Sequence, residues 1–351
     1  MPAVAARKPR DPVAFLILIE AHYWLLHRSA SKAHLISKLI VMLMSSALRV
    51  AAIDFLNPAP LMWDLEHPPL AAELAPYYEL SYMQPSQCAA ALLEGRADLG
   101  LIPIAALTPE LAVVPGCVIA SIDHVRSIQL VVKCEAILDS GLAESHPVAN
   151  GDLDTPAAID PMLRRVRTIA ADTASRSSLA YTQVLFRRFL GTAPSFLPAP
   201  ADPVAMLRSA DAALLIGDPA LLALEDRARI EQEVGPCLWI DIAHQWRQRT
   251  GLPWVAAVWA ARPEALGAAS RTAAALIDDL NRSRDHGLAH IDDLVREWTP
   301  RIALAPAAIH SYLTENIHYH LDPECMETIH LFRRYAAEVD ALPALPNPRF
   351  L

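Results

Sequence analysis

Glycine and lysine are the residues this chain uses least for its size. Its 351 residues include 11 glycines, about 3% against a usual ~7%. Four lysines occur, Lys8, Lys32, Lys38 and Lys133, so arginine supplies nearly all the positive charge. Neither a Gly-x-x-x-x-Gly-Lys-Ser/Thr phosphate loop nor a Gly-x-Gly-x-x-Gly dinucleotide fingerprint is present. A Schiff-base cofactor needs a lysine, and only Lys133 lies in the main body. These absences argue against a P-loop NTPase, a standard dinucleotide enzyme and most lysine–carbonyl chemistry, and no cofactor is expected. The five cysteines (Cys88, Cys117, Cys134, Cys237 and Cys325) form no Cys-x-x-Cys pair and no zinc-spaced cluster with histidine. They read as reduced core residues of a cytosolic protein. His318 and His320 have no third ligand nearby in sequence, so no metal is expected either.

Charge is uneven along the chain. Residues 1–46 carry six basic and two acidic residues, a net +4, so a total of −9 leaves −13 for the rest. An acidic body argues against nucleic acid as a partner. Attraction for an anion would have to be local, from arginines and helix N-termini. The apolar runs Phe15–Ile19 and Leu39–Met44 are too short for the ~18–20 residues of a membrane span. They also fall short of the ~7–15 apolar residues of a signal peptide. Residues 1–46 read as an extension, or as a start placed upstream of Met44, and take no part in the fold argument.

What is present is an alternation of buried strands and helices. Leu48–Ile53 is a compact apolar run feeding a proline-rich loop; Tyr77–Met83, Leu99–Ile104, Cys117–Ile122 and Ser127–Val132 follow as strands. Between them, Pro85–Leu93 reads as a helix capped by Ser86 and stopped at Gly95. Residues 134–164 read as an irregular surface insertion. A second α/β unit then has strands at Arg165–Ala170 and Ala212–Ile216 and helices at Ser177–Leu190 and Leu221–Arg229. Leu238–Ile242 and Trp254–Ala260 read as strands returning to the first sheet, with helices from Pro263 onward. The expected architecture is α/β with two lobes. Lobe I takes 47–133 and 236–340, lobe II takes 134–235, and 341–351 is a tail. A ligand cleft is expected between the lobes, at strand C-termini.

Candidate residues cluster at loops beside strand ends. Asn57 offers a neutral amide next to Pro58 and Pro60. The stretch Asp172-Thr173-Ala174-Ser175-Arg176-Ser177-Ser178 gathers hydroxyls and one arginine at a helix start. Free N–H groups and the helix dipole there favour a carboxylate. Plain capping needs only one hydroxyl, so the excess points to anion binding. Ser127 stands where a strand begins, which alone says little. Asp98 and Asp218 flank apolar strands, as turn carboxylates or as site residues. No Gly-x-Ser-x-Gly elbow and no His-Glu-x-x-His motif occurs. The residues thus describe a two-lobed protein for a small anion, without a visible strong nucleophile.

The same residues carry a family resemblance. Ile53-Asp54-Phe55-Leu56-Asn57-Pro58-Ala59-Pro60-Leu61 resembles the Ile-x-Tyr/Phe-Leu-Asn-x-x-Pro-Leu opening of the MqnA family, chorismate dehydratases of the futalosine route to menaquinone. Further matches are Pro85-Ser86 with Gly95, Asp98, Ile102 and Pro103, then Val125-Arg126-Ser127 and Ser175-Arg176-Ser177-Ser178. Leu215-Ile216-Gly217-Asp218, Trp246 with Thr250-Gly251-Leu252-Pro253, Trp259-Ala260, Tyr312, Ile317-His318-Tyr319 and Phe332 complete the series. Each piece is weak, but their collinear order over about residues 48–338 is specific.

The resemblance implies a type II periplasmic-binding-protein fold used as a cytoplasmic carbon–oxygen lyase. Its small-molecule substrate would be chorismate, which loses water to give 3-(1-carboxyvinyloxy)benzoate. It points to Asn57 and Ser127 as catalytic, orienting the ring, and to Ser86, Thr173, Ser175, Arg176, Ser177, Ser178 and Asp218 as substrate-binding. Aromatisation drives the elimination, so a held substrate carboxylate can serve as the base. The chain departs from the family at Ile104-Ala105-Ala106-Leu107, where serines or an acid are usual, and at Asp123-His124, where Gly-Pro is common. The 134–164 stretch is also longer than usual. Two other readings compete: a non-catalytic solute-binding protein on the same fold, and the related naphthoate synthase, whose Ser-Pro-Cys-Pro-Asn-Asp opening is absent here.

Overall fold

Short apolar runs with small residues at their centres build two separate sheets. In the first, strands β1 (Leu48–Ile53), β2 (Tyr78–Met83), β3 (Leu99–Pro103) and β4 (Ala112–Ser121) are joined later by the chain's return. The second holds β5 (Ile128–Lys133), β6 (Thr168–Asp172), β7 (Ser195–Ala199), β8 (Ala212–Ile216) and β9 (Cys237–Asp241). Strands β10 (Trp254–Ala261), β11 (His318–His320) and β12 (Arg349–Phe350) return to the first. The structure, a computed structural model, describes residues 47–137, 155–174, 176–267, 269 and 271–351. The readings of residues 1–46, of 138–154 and of Ser175 lie outside the described residues.

The first sheet runs in the order β11-β4-β10-β3-β1-β2, with β12 alongside β4. Strand β1 is parallel to β2 and β3, and β10 is antiparallel to β3 and β4. The second runs β7-β6-β8-β5-β9, with β6 parallel to β8 and β5 antiparallel to both β8 and β9. Val50, Ala51, Ala52, Leu99 and Leu101 are all but removed from solvent. Burying a Val or Leu side chain contributes about 1.5–3 kcal/mol.

The sequence-based lobe boundaries need correcting. β5 and β9 belong to the second sheet, where Gln129 pairs with Asp241, so the chain crosses between sheets at residues 122–127 and 242–253. A fully buried apolar run announces a strand but not its partner, so the sequence pattern alone does not separate these two strands from the first lobe. The expected surface insertion also ends differently. Helix α2, Pro156–Leu163, buries Ile159 and Leu163 and is part of the core. The expected tail supplies β12. In α1 (Pro85–Leu93), proline at the first helical position fits its missing N–H, but Ser86 lies inside the first turn and is not the cap. The Gln84 N–H donates instead to Gln87 Oε1 at 3.1 Å.

The loop after β1 is clamped from behind. Helix α6 (Ala273–Ala289; α3, Ser177–Val184, α4, Gly217–Glu225, and α5, Ile242–Thr250, precede it) lays Ser283 and Gly287 against it. Ser283 Oγ donates to Leu61 O at 2.8 Å and accepts from Asp64 N–H at 2.9 Å. Asp64, 1% exposed, accepts from Arg282 Nε at 2.8 Å and faces His286 Nδ1 at 2.7 Å. A Cβ on Gly287 would lie 2.0 Å from the Pro60 carbonyl oxygen. Alanine inside a helix ordinarily gains about 1 kcal/mol over glycine. At Gly287 the clash should outweigh it, with a net cost of about 1–3 kcal/mol. Thermal unfolding of Gly287→Ala should show a midpoint several degrees lower; an unchanged or higher midpoint would mean that the loop yields freely.

Candidate functional site

A narrow cleft with about 60 Å³ of free volume opens where the two sheets meet, the place where open α/β sheets bind small molecules. One wall is the loop after β1, with Ile53, Phe55 and Asn57. Ser127 comes from the first crossover, Arg176, Ser177 and Ser178 from the start of α3, and Trp254 and Ala256 from β10. The cleft thus lies at the ends of strands and helices, where open α/β sheets bind ligands.

Asn57 is placed by bonds that cross between the sheets. The Leu56 N–H donates to Asp218 Oδ1 at 3.0 Å. The Phe55 ring lies on Gly217, where a Cβ would approach it to 2.5 Å and where φ is +62°. Only glycine suits that combination of close approach and left-handed backbone. Ser127 is 1% exposed and is set by Arg126, a non-glycine residue at φ +59°. Arg126 N–H donates to Asp241 Oδ2 at 2.7 Å, Ser127 N–H to Val125 O at 2.7 Å, and Gly217 N–H to Ser127 O at 2.7 Å.

Arg176 is exposed and precedes α3 in sequence. It makes no ion pair among the described residues, which leaves its guanidinium available to a carboxylate. Arg176 is also the only charged side chain among the described residues that line the cleft; no carboxylate, imidazole or amine joins it there. Ser178 lines the cleft and is 5% exposed. Ser177 lines it too, but its Oγ donates to Ala256 O at 2.9 Å and accepts from Ala105 N–H at 3.3 Å. That hydroxyl ties α3 to the first sheet, rather than standing ready for a ligand.

Other expected contacts lie elsewhere. Thr173 is exposed and Ser86 half-buried, and neither lines the cleft. Asp218 also stays out of the lining and holds the Leu56 N–H from behind. Burial pushes its carboxyl up to about 6, against the opposing hydrogen bond from Leu56, with Asp54 adding to the rise and Arg301 opposing it. Asp98 is the turn carboxylate of the two alternatives. It pairs with Arg49 at 2.7 Å, which holds its carboxyl below the usual range.

Two residues without an assigned role border the site. Trp254 forms a wall, is 1% exposed, and its indole Nε1 has no hydrogen-bond partner. In sequence it belongs to a core strand, and nothing there reveals which face meets a cleft. Tyr312 packs its hydroxyl against Ser127 and Asn57. Two groups away from the lining have donor atoms close enough for a metal ion: Asp123, His124 and His244, and His318, Asp322 and Cys325. The first unites residues some 120 positions apart, beyond the reach of a spacing argument; the second lies within one short stretch and corrects the reading that His318 has no further ligand nearby in sequence. No helix among the described residues is long and apolar enough to cross a membrane.

Comparison with known proteins agrees with this geometry. Among solved structures, a Candida albicans gene product described as having the generic periplasmic binding protein fold superposes with a TM-score of 0.55 at 11% identity, covering 87% of this chain and 97% of that one. The periplasmic aliphatic sulphonate binding protein of Escherichia coli gives 0.54 at 16% identity, covering 87% and 94%. The fold is thus that of periplasmic binding proteins. In sequence, the chorismate dehydratase of Thermus thermophilus is 29% identical over 192 residues, 52% of this chain and 66% of that protein. A family described as menaquinone biosynthesis matches residues 48–338. With that span covering both sheets and every residue placed at the cleft, the chain belongs to the menaquinone-biosynthesis family.

Proposed function

We propose that the protein is a chorismate dehydratase, a carbon–oxygen lyase that converts chorismate to 3-(1-carboxyvinyloxy)benzoate and water. The observation that carries this reading is the cleft lining: one unpaired arginine, neutral hydrogen-bonding groups and apolar walls. Arg176 and the first turn of α3 suit a substrate carboxylate. Asn57 and Ser127 face the remaining space and orient the ring. In the elimination a ring C–H bond breaks, its electron pair completes the aromatic ring, and the C–O bond to the hydroxyl breaks. The proton passes to a substrate carboxylate and leaves with the hydroxide as water. Aromatisation supplies the driving force, so positioning accounts for most of what the protein contributes. The five cysteines are unpaired and buried, which supports a reducing compartment such as the cytoplasm.

Incubating the full chain with chorismate should consume it and yield the aromatic ether in equal amount. Tight binding without turnover would instead make the protein a solute-binding protein. Asp54 faces a different cavity, so Asp54→Asn should keep turnover within a few-fold; complete loss with normal binding would make Asp54 the base and overturn the substrate-assisted step.

Arg176→Ala should raise KM about 10- to 100-fold, the scale of one charge-assisted contact of about 1.5–3 kcal/mol. An unchanged saturation curve would remove Arg176 from the site. For Asp218 the sign follows from its raised carboxyl, at about 6. Below that pH it is neutral; above it, its charge opposes an anionic ligand, so KM should climb as pH rises through about 6. Asp218→Asn keeps an acceptor for the Leu56 N–H and should flatten the profile. At pH 7.5 it should lower KM about three- to tenfold, whereas a profile parallel to wild type would refute the account.

A further inference from the structure

Behind Asn57 and Ser127 stands a phenol whose placement has no structural return of its own. Tyr312 opens a π-helical turn, Tyr312–Asn316, a backbone form found often at functional sites. The far end of that turn is anchored on the first crossover, where Asn316 Nδ2 donates to His124 O at 3.0 Å. Tyr312 is 1% exposed, and its hydroxyl lies against the side chains of both Ser127 and Asn57. Yet Oη makes no hydrogen bond of normal geometry. Burying a hydroxyl without a partner is unfavourable, and phenylalanine would fill the same space without that cost. Burial also drives the phenol well above its ordinary range, so it keeps its proton and remains able to donate a hydrogen bond.

We propose that Tyr312 is a positioning residue for the elimination, its Oη donating a hydrogen bond to Ser127 Oγ in the reacting complex. This rests on the dehydratase reading of the cleft. The bond occupies a lone pair of Ser127 and turns the Ser127 proton toward the departing oxygen, while Asn57 flanks the same hydroxyl. The proton of Tyr312 stays on its own oxygen throughout. No atom is transferred from the phenol, and the reaction remains the loss of water already described.

Tyr312→Phe in the full chain tests this, read by kcat, KM and the unfolding midpoint. Oη makes no hydrogen bond of normal geometry among the described residues, so the midpoint should hold or rise slightly. The expected result is kcat lower by tenfold or more with KM within twofold. The double variant Tyr312→Phe with Ser127→Ala should be no slower than Ser127→Ala alone, because Tyr312 acts through Ser127. A kcat within twofold of wild type overturns the proposal, as does a change confined to KM. So does a lowered midpoint with matching losses in kcat and KM, the mark of a purely structural residue. Multiplying losses in the double variant would show that Tyr312 does not act through Ser127. Absence of chorismate turnover in the wild-type chain is a separate outcome: it removes the dehydratase reading itself, and this inference with it.

Discussion

The two crossovers between the sheets converge on one carboxylate. Asp241 ends β9, and its Oδ1 caps α5 by accepting from the N–H groups of Ala243 and His244 at 3.0 and 3.2 Å. Its Oδ2 reaches the other crossover, accepting from Arg126 N–H at 2.7 Å and Gln129 Nε2 at 3.3 Å. Four donors compensate a carboxylate that is only 5% exposed, although burial still pushes its titration upward. The left-handed backbone of Arg126 is unfavourable for a residue with a Cβ and persists only where the surroundings hold it. Ser127 reaches the cleft because of that held turn. The site therefore depends on a joint made by the fold, not on loops that could drift independently.

Charge placement follows from the same economy. The chain is acidic overall, so it offers a dianion no broad attractive field, and what attraction exists has to act at short range. Most of its partly buried arginines are neutralised structurally: Arg271 by two bonds of 2.6 Å to Asp279, Arg249 by Asp160 at 2.6 Å, and Arg282 by Asp64 at 2.8 Å. Arg176 lacks such a carboxylate among the described residues. Asp218, which holds the loop wall from behind, has its carboxyl pushed up to about 6 by burial. An anion in the cleft thus meets one uncompensated cation and little opposing charge.

Much of this was legible in the sequence, and the parts that were not share a cause. Leu48–Ile53, Ala212–Ile216 and the strand at Trp254 announce themselves as apolar runs between turn signals, and their ends place Asn57 and Arg176 at loops. Strand pairing is a long-range property, which is why β5 and β9 were read into the wrong sheet. Edge strand β7 escaped notice because Pro198 interrupts its pattern. At the site, part of the hydroxyl-rich run before α3 lines the cleft, but composition cannot say which hydroxyl is already bonded. Ser177 is a tie and Thr173 a surface residue; Trp254 reads as part of a core strand, and Tyr312 belongs to the family resemblance without a role attached to it. Asp218 acts on the loop backbone from outside the lining.

The double role of Ser177 has a kinetic consequence. Its hydroxyl joins Ala105 to Ala256, and the Leu56–Asp218 bond spans the same gap from the other side. A ligand that needs the gap wider must part these bonds first. Apparent affinity is then scaled down by the fraction of molecules that are parted, and capture is limited by their opening and not by diffusion. The same bonds, when closed, limit the entry of bulk water into the gap.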